Sequence, residues 1–205
     1  MHNDILDPKL TRRGALGALA ATAAALALTG PAQALTVGEA RGLIDRAVAD
    51  VNAVIGSGAS EQQMLVSFEK IFAKYADVPT IARSSLGPAA RGASAGDLAA
   101  YTKAFQRYIS RKYGRRFREF IGGRIEVVDA RPLKTYFEVI SNAYLQGQEP
   151  FDLRWYVSDK SGRNLFFNLI IEGVNMLASE RAEIGAMLDA NKGSIAAVAA
   201  ALQKI

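Results

Sequence analysis

Apolar positions recur at helical spacing through the first half of the chain and at strand spacing through most of the second. From Thr36 to Ile55, Val37, Ala40, Ile44, Ala47, Val51 and Val54 mark one face of a helix. "GSGAS" at 56–60 interrupts that face, and Ser60 is placed to cap a second helix carrying Met64, Leu65, Phe68, Ile71, Phe72 and Tyr75. Pro79 opens a short third helix through Ile81 and Ala82, which stops near Leu86-Gly87-Pro88. A long fourth helix is predicted from Ser94 to about Ile121, with Leu98, Tyr101, Phe105, Ile109, Tyr113, Phe117 and Phe120 as its buried face. Arg107, Arg111, Arg115 and Arg118 form a second stripe on it, either a solvated face or a docking surface for lipid phosphates or an acidic partner.

Gly122-Gly123 ends this helix, and the period then falls to two. Residues 124–130 alternate around Ile125 and Val127. In the next segment Phe137 and Val139 share one face, and Tyr136, Ile140 and Tyr144 the other. Phe151, Leu153, Trp155 and Val157 alternate with Asp152, Arg154, Tyr156 and Ser158, and "SDKSGR" turns the chain into a strand at 164–171. That strand is apolar on both faces, which predicts a central position in the sheet. After it, Gly173 supplies a sharp turn, Asn175 caps a helix, and a last Ala-rich helix spans Ser194 to Ile205. Glu172, beside the turn, is read as a rim carboxylate near a helix start rather than a catalytic acid. The outline is an α+β domain: a helical N-terminal part, then a curved antiparallel sheet of about four strands wrapped by helices. This arrangement is similar to the NTF2-like scaffold.

The first 34 residues read as an export signal rather than as part of this fold. Lys9, Arg12 and Arg13 precede a 14-residue Ala/Leu run from Ala15 to Leu28, and Ala32-Gln33-Ala34 fits a cleavage site. The run is short of the ~20 residues that span a bilayer. "TRRGAL" is similar to a twin-arginine signal with Ala15 in place of the usual Phe, which leaves twin-arginine and general export both open. Removing 34 of 205 residues leaves 171, enough for one domain that buries roughly 70% of its unfolded surface. The segment carries three basic and two acidic side chains, so the net charge falls from +5 to +4. So mild a balance suits an anionic membrane surface and gives no case for nucleic acid.

Two absences narrow the chemistry. The chain has no cysteine, so it has neither disulfides nor an acylated-cysteine anchor. Its one histidine, His2, lies in the export segment. A domain over residues 35–205 therefore lacks Ser-His-Asp and Cys-His catalysis and any metal site built on imidazole or thiolate. No catalytic residue, metal ligand or cofactor site is predicted, and any acid–base work falls to Asp, Glu, Lys or Tyr.

"IIEGVNML" at 170–177 resembles the "ieGvSlv" stretch near the C-terminus of the MlaC (toluene-tolerance auxiliary) family of periplasmic phospholipid-binding proteins. "FEKIFAKYADVPTIARSSLG", Phe68 to Gly87, resembles that family's aromatic-Asp-aliphatic segment leading to Leu-Gly. "FQRYISRKYGRRFREF" is similar to its helix with an aromatic or aliphatic residue at every fourth position. Departures are "PAAR" where Trp usually follows Leu-Gly, "NLFFNL" where a Trp and an Asp are usual, and Asn175 for Ser. The resemblance implies a periplasmic carrier of a phospholipid or related membrane lipid such as a hopanoid. It also implies an inner-membrane ABC transporter complex and an outer-membrane lipoprotein complex as partners. A lipid cavity between sheet and helices would be lined by Ile71, Tyr75, Ile81, Tyr113, Phe137, Val139, Leu153, Trp155, Phe167 and Leu169. The competing class is an NTF2-like isomerase or cyclase acting on an apolar small molecule, which the missing histidine disfavours.

Overall fold

Local signals set the helices. Thr36 and Ser60 each form a reciprocal capping box, with Glu39 and Gln63 respectively, at the starts of α1 (Val37–Ile55) and α2 (Glu61–Tyr75). Asp77 caps α3 (Val78–Ser85), with Pro79 inside its first turn. A 3-10 turn over Gly87–Arg91 leads to Ser94, the cap of α4 (Ala95–Gly114). The computed structural model describes residues 34–115 and 120–205. Residues up to Gln33, where the export signal is expected, together with Phe117 and Arg118, lie outside the described residues. Within them the fourth helix ends at Gly114 with Arg115 as its C-cap, short of the Ile121 expected. Leu35–Ile205 is one compact unit.

Five antiparallel strands follow as a meander in the order β1-β2-β3-β4-β5. They are β1 (Arg124–Leu133), β2 (Tyr136–Tyr144), β3 (Phe151–Ser158), β4 (Leu165–Ile171) and the two-residue β5 (Val174–Asn175). Register shifts between Val127 and Asp129 and opposite Tyr156/Val157 mark bulges, which bend the strands and increase their twist. Two helices complete the chain, α5 (Met176–Ala190) capped by Asn175 and α6 (Ile195–Leu202) capped by Ser194. The α+β class and the curved sheet wrapped by helices are as the patterning predicts.

Two expectations need correction. β4 is not at the centre of the sheet: beyond β3 its neighbours among the described residues are the two-residue β5 and a single parallel bridge from Ala76. Its apolar character on both faces has another origin. Phe166 packs at 5.2 Å from the Trp155 ring, and Phe167, at the bulge, packs at 5.3 Å from the Tyr136 ring. The rest of its edge is covered by the segment before α3, where Asp77 N–H donates to Phe166 O at 2.8 Å. Second, Glu172-Gly173 does not lead straight into a helix. Both residues have positive φ, 48° and 79°, and form a two-residue hairpin turn that pairs Ile171 with Val174. The helix begins only after β5, whose last residue is also its cap.

The opposite edge is held by side chains. The Asn52 amide of α1 donates to Ile125 O at 3.1 Å and accepts from Ile125 N–H at 3.2 Å, and Arg41 donates to Val127 O. Asn52 thus acts as one more pairing partner for β1 and lays α1 across the β1–β2 half of the sheet. The β3–β4 half is left to α2, α3, α4 and α5, and there the packing is incomplete.

Candidate functional site

Between β3–β4 and those helices lies a cavity of about 360 Å³. Leu153, Trp155, Phe166 and Leu169 form its floor, and Ile71, Phe72, Ile81, Ile109 and Tyr113 face them from the helices. The floor follows from period-two alternation in paired strands: Trp155 stands opposite Leu169 and Leu153 opposite Ile171. The Trp155 indole N–H donates to Ser141 Oγ at 3.1 Å, so its one polar group is satisfied.

Seven of the ten residues singled out from the sequence line this cavity: Ile71, Ile81, Tyr113, Leu153, Trp155, Phe167 and Leu169. Three do not. Tyr75 is buried, and its hydroxyl reaches away to Asp50 on α1 at 2.7 Å. Val139 is fully buried and Phe137 is packed against the core, on the β2 stretch outside the cavity wall.

Sequence reasoning missed the polar part of the wall. Glu180 of α5 is only 2% exposed and lines the cavity together with Tyr113. Its Oε1 accepts from Tyr113 Oη at 2.5 Å and from Lys112 Nζ at 2.8 Å. Lys112 also donates to Glu183 Oε2, and the Tyr108 hydroxyl donates to Glu183 Oε1, both at 2.5 Å. Burial pushes the Tyr108 and Tyr113 phenols up, and acceptance by carboxylates adds to it. Burial pulls Lys112 down, but its hydrogen bonds to the two glutamates outweigh this and hold it above the ordinary lysine value. Burial would raise Glu183, yet the bonds from Lys112 and Tyr108 prevail and keep it below the usual carboxylate range.

These directions give a pH prediction. A depressed Glu183 stabilises the fold above the unfolded carboxylate pKa of about 4.3, and that contribution is lost as pH falls through its lower folded value. A raised Lys112 stabilises below about 10.4, and its contribution is lost as pH climbs through its higher folded value. Thermal unfolding across pH should show a plateau with both limbs. Glu183→Gln should flatten the acid limb; an unaltered limb would remove Glu183 from the linkage.

A profile of the MlaC protein family matches residues 43–204. The chain belongs to the MlaC family. Among solved structures it is similar to the phospholipid-binding protein from Ralstonia solanacearum, determined in complex with a phospholipid. That likeness has a TM-score of 0.69 at 17% identity and covers 80% of this chain and 95% of the other. At that identity it establishes a shared fold. A comparison with curated proteins gives no significant match. The family match takes in the cavity wall from Val51 on α1 to Glu180 on α5, so this MlaC-family chain carries the cavity inside the part that defines its membership.

Proposed function

We propose that this MlaC-family domain is a soluble periplasmic carrier that holds a phospholipid by its acyl tails and passes it between membranes or to a membrane transporter. The carrying observation is the apolar cavity between β3–β4 and the helices. Each acyl CH2 left in water costs ~0.8 kcal/mol, so two tails with ~30 of them risk more than roughly 20 kcal/mol. Only near-complete enclosure offsets that, and the wall here is mostly aliphatic and aromatic. The volume is at the small end of the range for ligand clefts, roughly 300–1,000 Å³. Taking both tails would thus move the helical wall outward. The phospholipid bound to the Ralstonia protein of the same fold supports this choice of ligand.

Mass spectrometry of an organic extract of the protein purified from its native host tests the reading. Phospholipid near one per chain is expected. Protein that is free of lipid and takes none from vesicles would defeat it. The intact mass of the same sample tests export: cleavage after Ala34 leaves Leu35 at the N-terminus, and a chain starting at Met1 would refute it. Leu35 is buried, and its backbone nitrogen lies 3.0 Å from Asp159 Oδ2. A new terminal ammonium there would meet a carboxylate.

Delivery needs a partner, and the resemblance points to an inner-membrane ABC transporter complex and an outer-membrane lipoprotein complex. Arg107 and Arg115 are exposed and Arg111 partly so, while Arg118 lies outside the described residues. Reversing Arg107 and Arg111 to Glu should weaken docking to an acidic surface severalfold, and added salt should mimic the loss. Binding unchanged in both tests would return the stripe to a solvated face.

A further inference from the structure

Leu35 belongs to the hydrophobic core, with 6% of its surface exposed. Its backbone N–H donates at 3.0 Å to Asp159 Oδ2, in the turn between β3 and β4. The buried side chain thus fixes the nitrogen in front of a carboxylate. A second carboxylate stands close by. Glu39 Oε2 accepts from Thr36 N–H and from Thr36 Oγ1, both at 2.8 Å. Those bonds hold Glu39 below the usual carboxylate range, while the negative charge of Asp159 pushes it back up. The two carboxylates therefore feel each other.

No side-chain cation among the described residues forms an ion pair with either of them. Lys160, next to Asp159 in the chain, sends its ammonium to Thr135 Oγ1 at 3.0 Å. While Leu35 lies inside a longer chain it offers Asp159 one neutral amide donor. Cleavage after Ala34 replaces that amide with an ammonium, which has three donors and a full charge. The positive end of α1 opposes a cation beside its first turn. Two carboxylates facing that cation outweigh one helix end, because a hydrogen bond between opposite charges is the stronger kind.

We propose that Asp159 and Glu39 are a receptor for the α-ammonium of Leu35 itself, so that removal of the export segment adds an ion pair that pins the start of α1 to the β3–β4 turn. The chain thus reaches its full stability only once it has been cut between Ala34 and Leu35. This rests on the cleavage expected there. The position is specific: a start one residue earlier moves the charge by about 3.8 Å and returns a neutral amide to Asp159.

Two forms of the compact unit are compared, one released from a fusion by a protease that leaves Leu35 first and one that begins at Ala34. At neutral pH the Leu35 form should melt roughly 2–4 °C higher, the scale of one ion pair in a domain of this size. Asp159→Asn should erase the difference. Raising the pH gives a readout that a merely structural Asp159 would not move. Asp159 and Glu39 stay charged, and pairing lifts the α-amine above its free value of about 7.7–8.0. The advantage of the Leu35 form is therefore complete below that value and is lost as pH climbs through the higher folded one. Equal melting of the two forms would overturn the proposal, as would a difference that survives Asp159→Asn. Should Asp159→Asn fail to fold, an NMR titration of the Leu35 α-amine decides, and a value no higher than that of a free α-amine overturns it. Native-host protein that begins elsewhere than Leu35 defeats the export reading and this proposal with it, even where the Leu35 form is the more stable.

Discussion

Replacing Leu169 with Trp is expected to cut bound lipid per chain severalfold while the domain stays folded. Leu169 is partly buried, faces Trp155 across the β3–β4 ladder and lines the cavity. A second indole would occupy space that is otherwise open to a tail. Leu153→Trp makes the same test two residues along the neighbouring strand, at a more deeply buried site. The outcome separates a cavity from a filled core. In a packed interior an added ring forces neighbours off their rotamers and costs ~1–3 kcal/mol. In a cavity that cost shrinks and the loss falls on the ligand. Thermal unfolding and bound lipid can be followed on one sample. A large drop in unfolding temperature with lipid content unchanged would mean that these leucines face ordinary core.

Why the sequence reveals one part of this site and hides another follows from the range of each interaction. The caps at Thr36, Ser60, Ser94, Asn175 and Ser194 bond within three or four residues, so the sequence displays both partners together. Strand faces are equally legible, because alternation alone puts Leu153 and Trp155 on one side. Which helix covers which strand is a long-range matter. Phe137 and Val139 share their face with cavity residues across the ladder, yet Asn52 and Arg41 draw α1 over the β1–β2 half and the space there is filled. Tyr75 fails for a similar reason, since its partner Asp50 sits on another helix. The Glu172-Gly173 turn was visible; the two-residue strand behind it was not, because β5 exists only through pairing with Ile170 and Ile171. The buried glutamate was hidest of all by distance: Glu180 is 68 residues from Lys112. The one faint signal was Glu180 and Glu183 at i, i+3 on a helix, a spacing that puts two carboxylates on one side.

Phe105→Ala should show the opposite balance from the tryptophan variants: a large loss of stability from a residue that does not touch the cavity. Phe105 is 0% exposed and stands between Tyr101 and Tyr108, at 5.6 and 6.2 Å between ring centroids. Tyr101 is itself fixed, its hydroxyl 2.7 Å from Ser85 Oγ on α3. The neighbours therefore have little freedom to close over a void, and the substitution should cost ~3–5 kcal/mol. For a domain of this size each kcal/mol lowers Tm by ~2–4 °C, so a fall of roughly 6–20 °C is expected. Ile71→Ala, on α2, is the control. Ile71 is partly buried and already faces open space, so fewer of its contacts are there to lose. Its truncation should cost clearly less than that of Phe105. Equal losses at the two positions would show that the layer around Ile71 is as tightly packed as that around Phe105, and the cavity would then have no soft wall through which a lipid could enter.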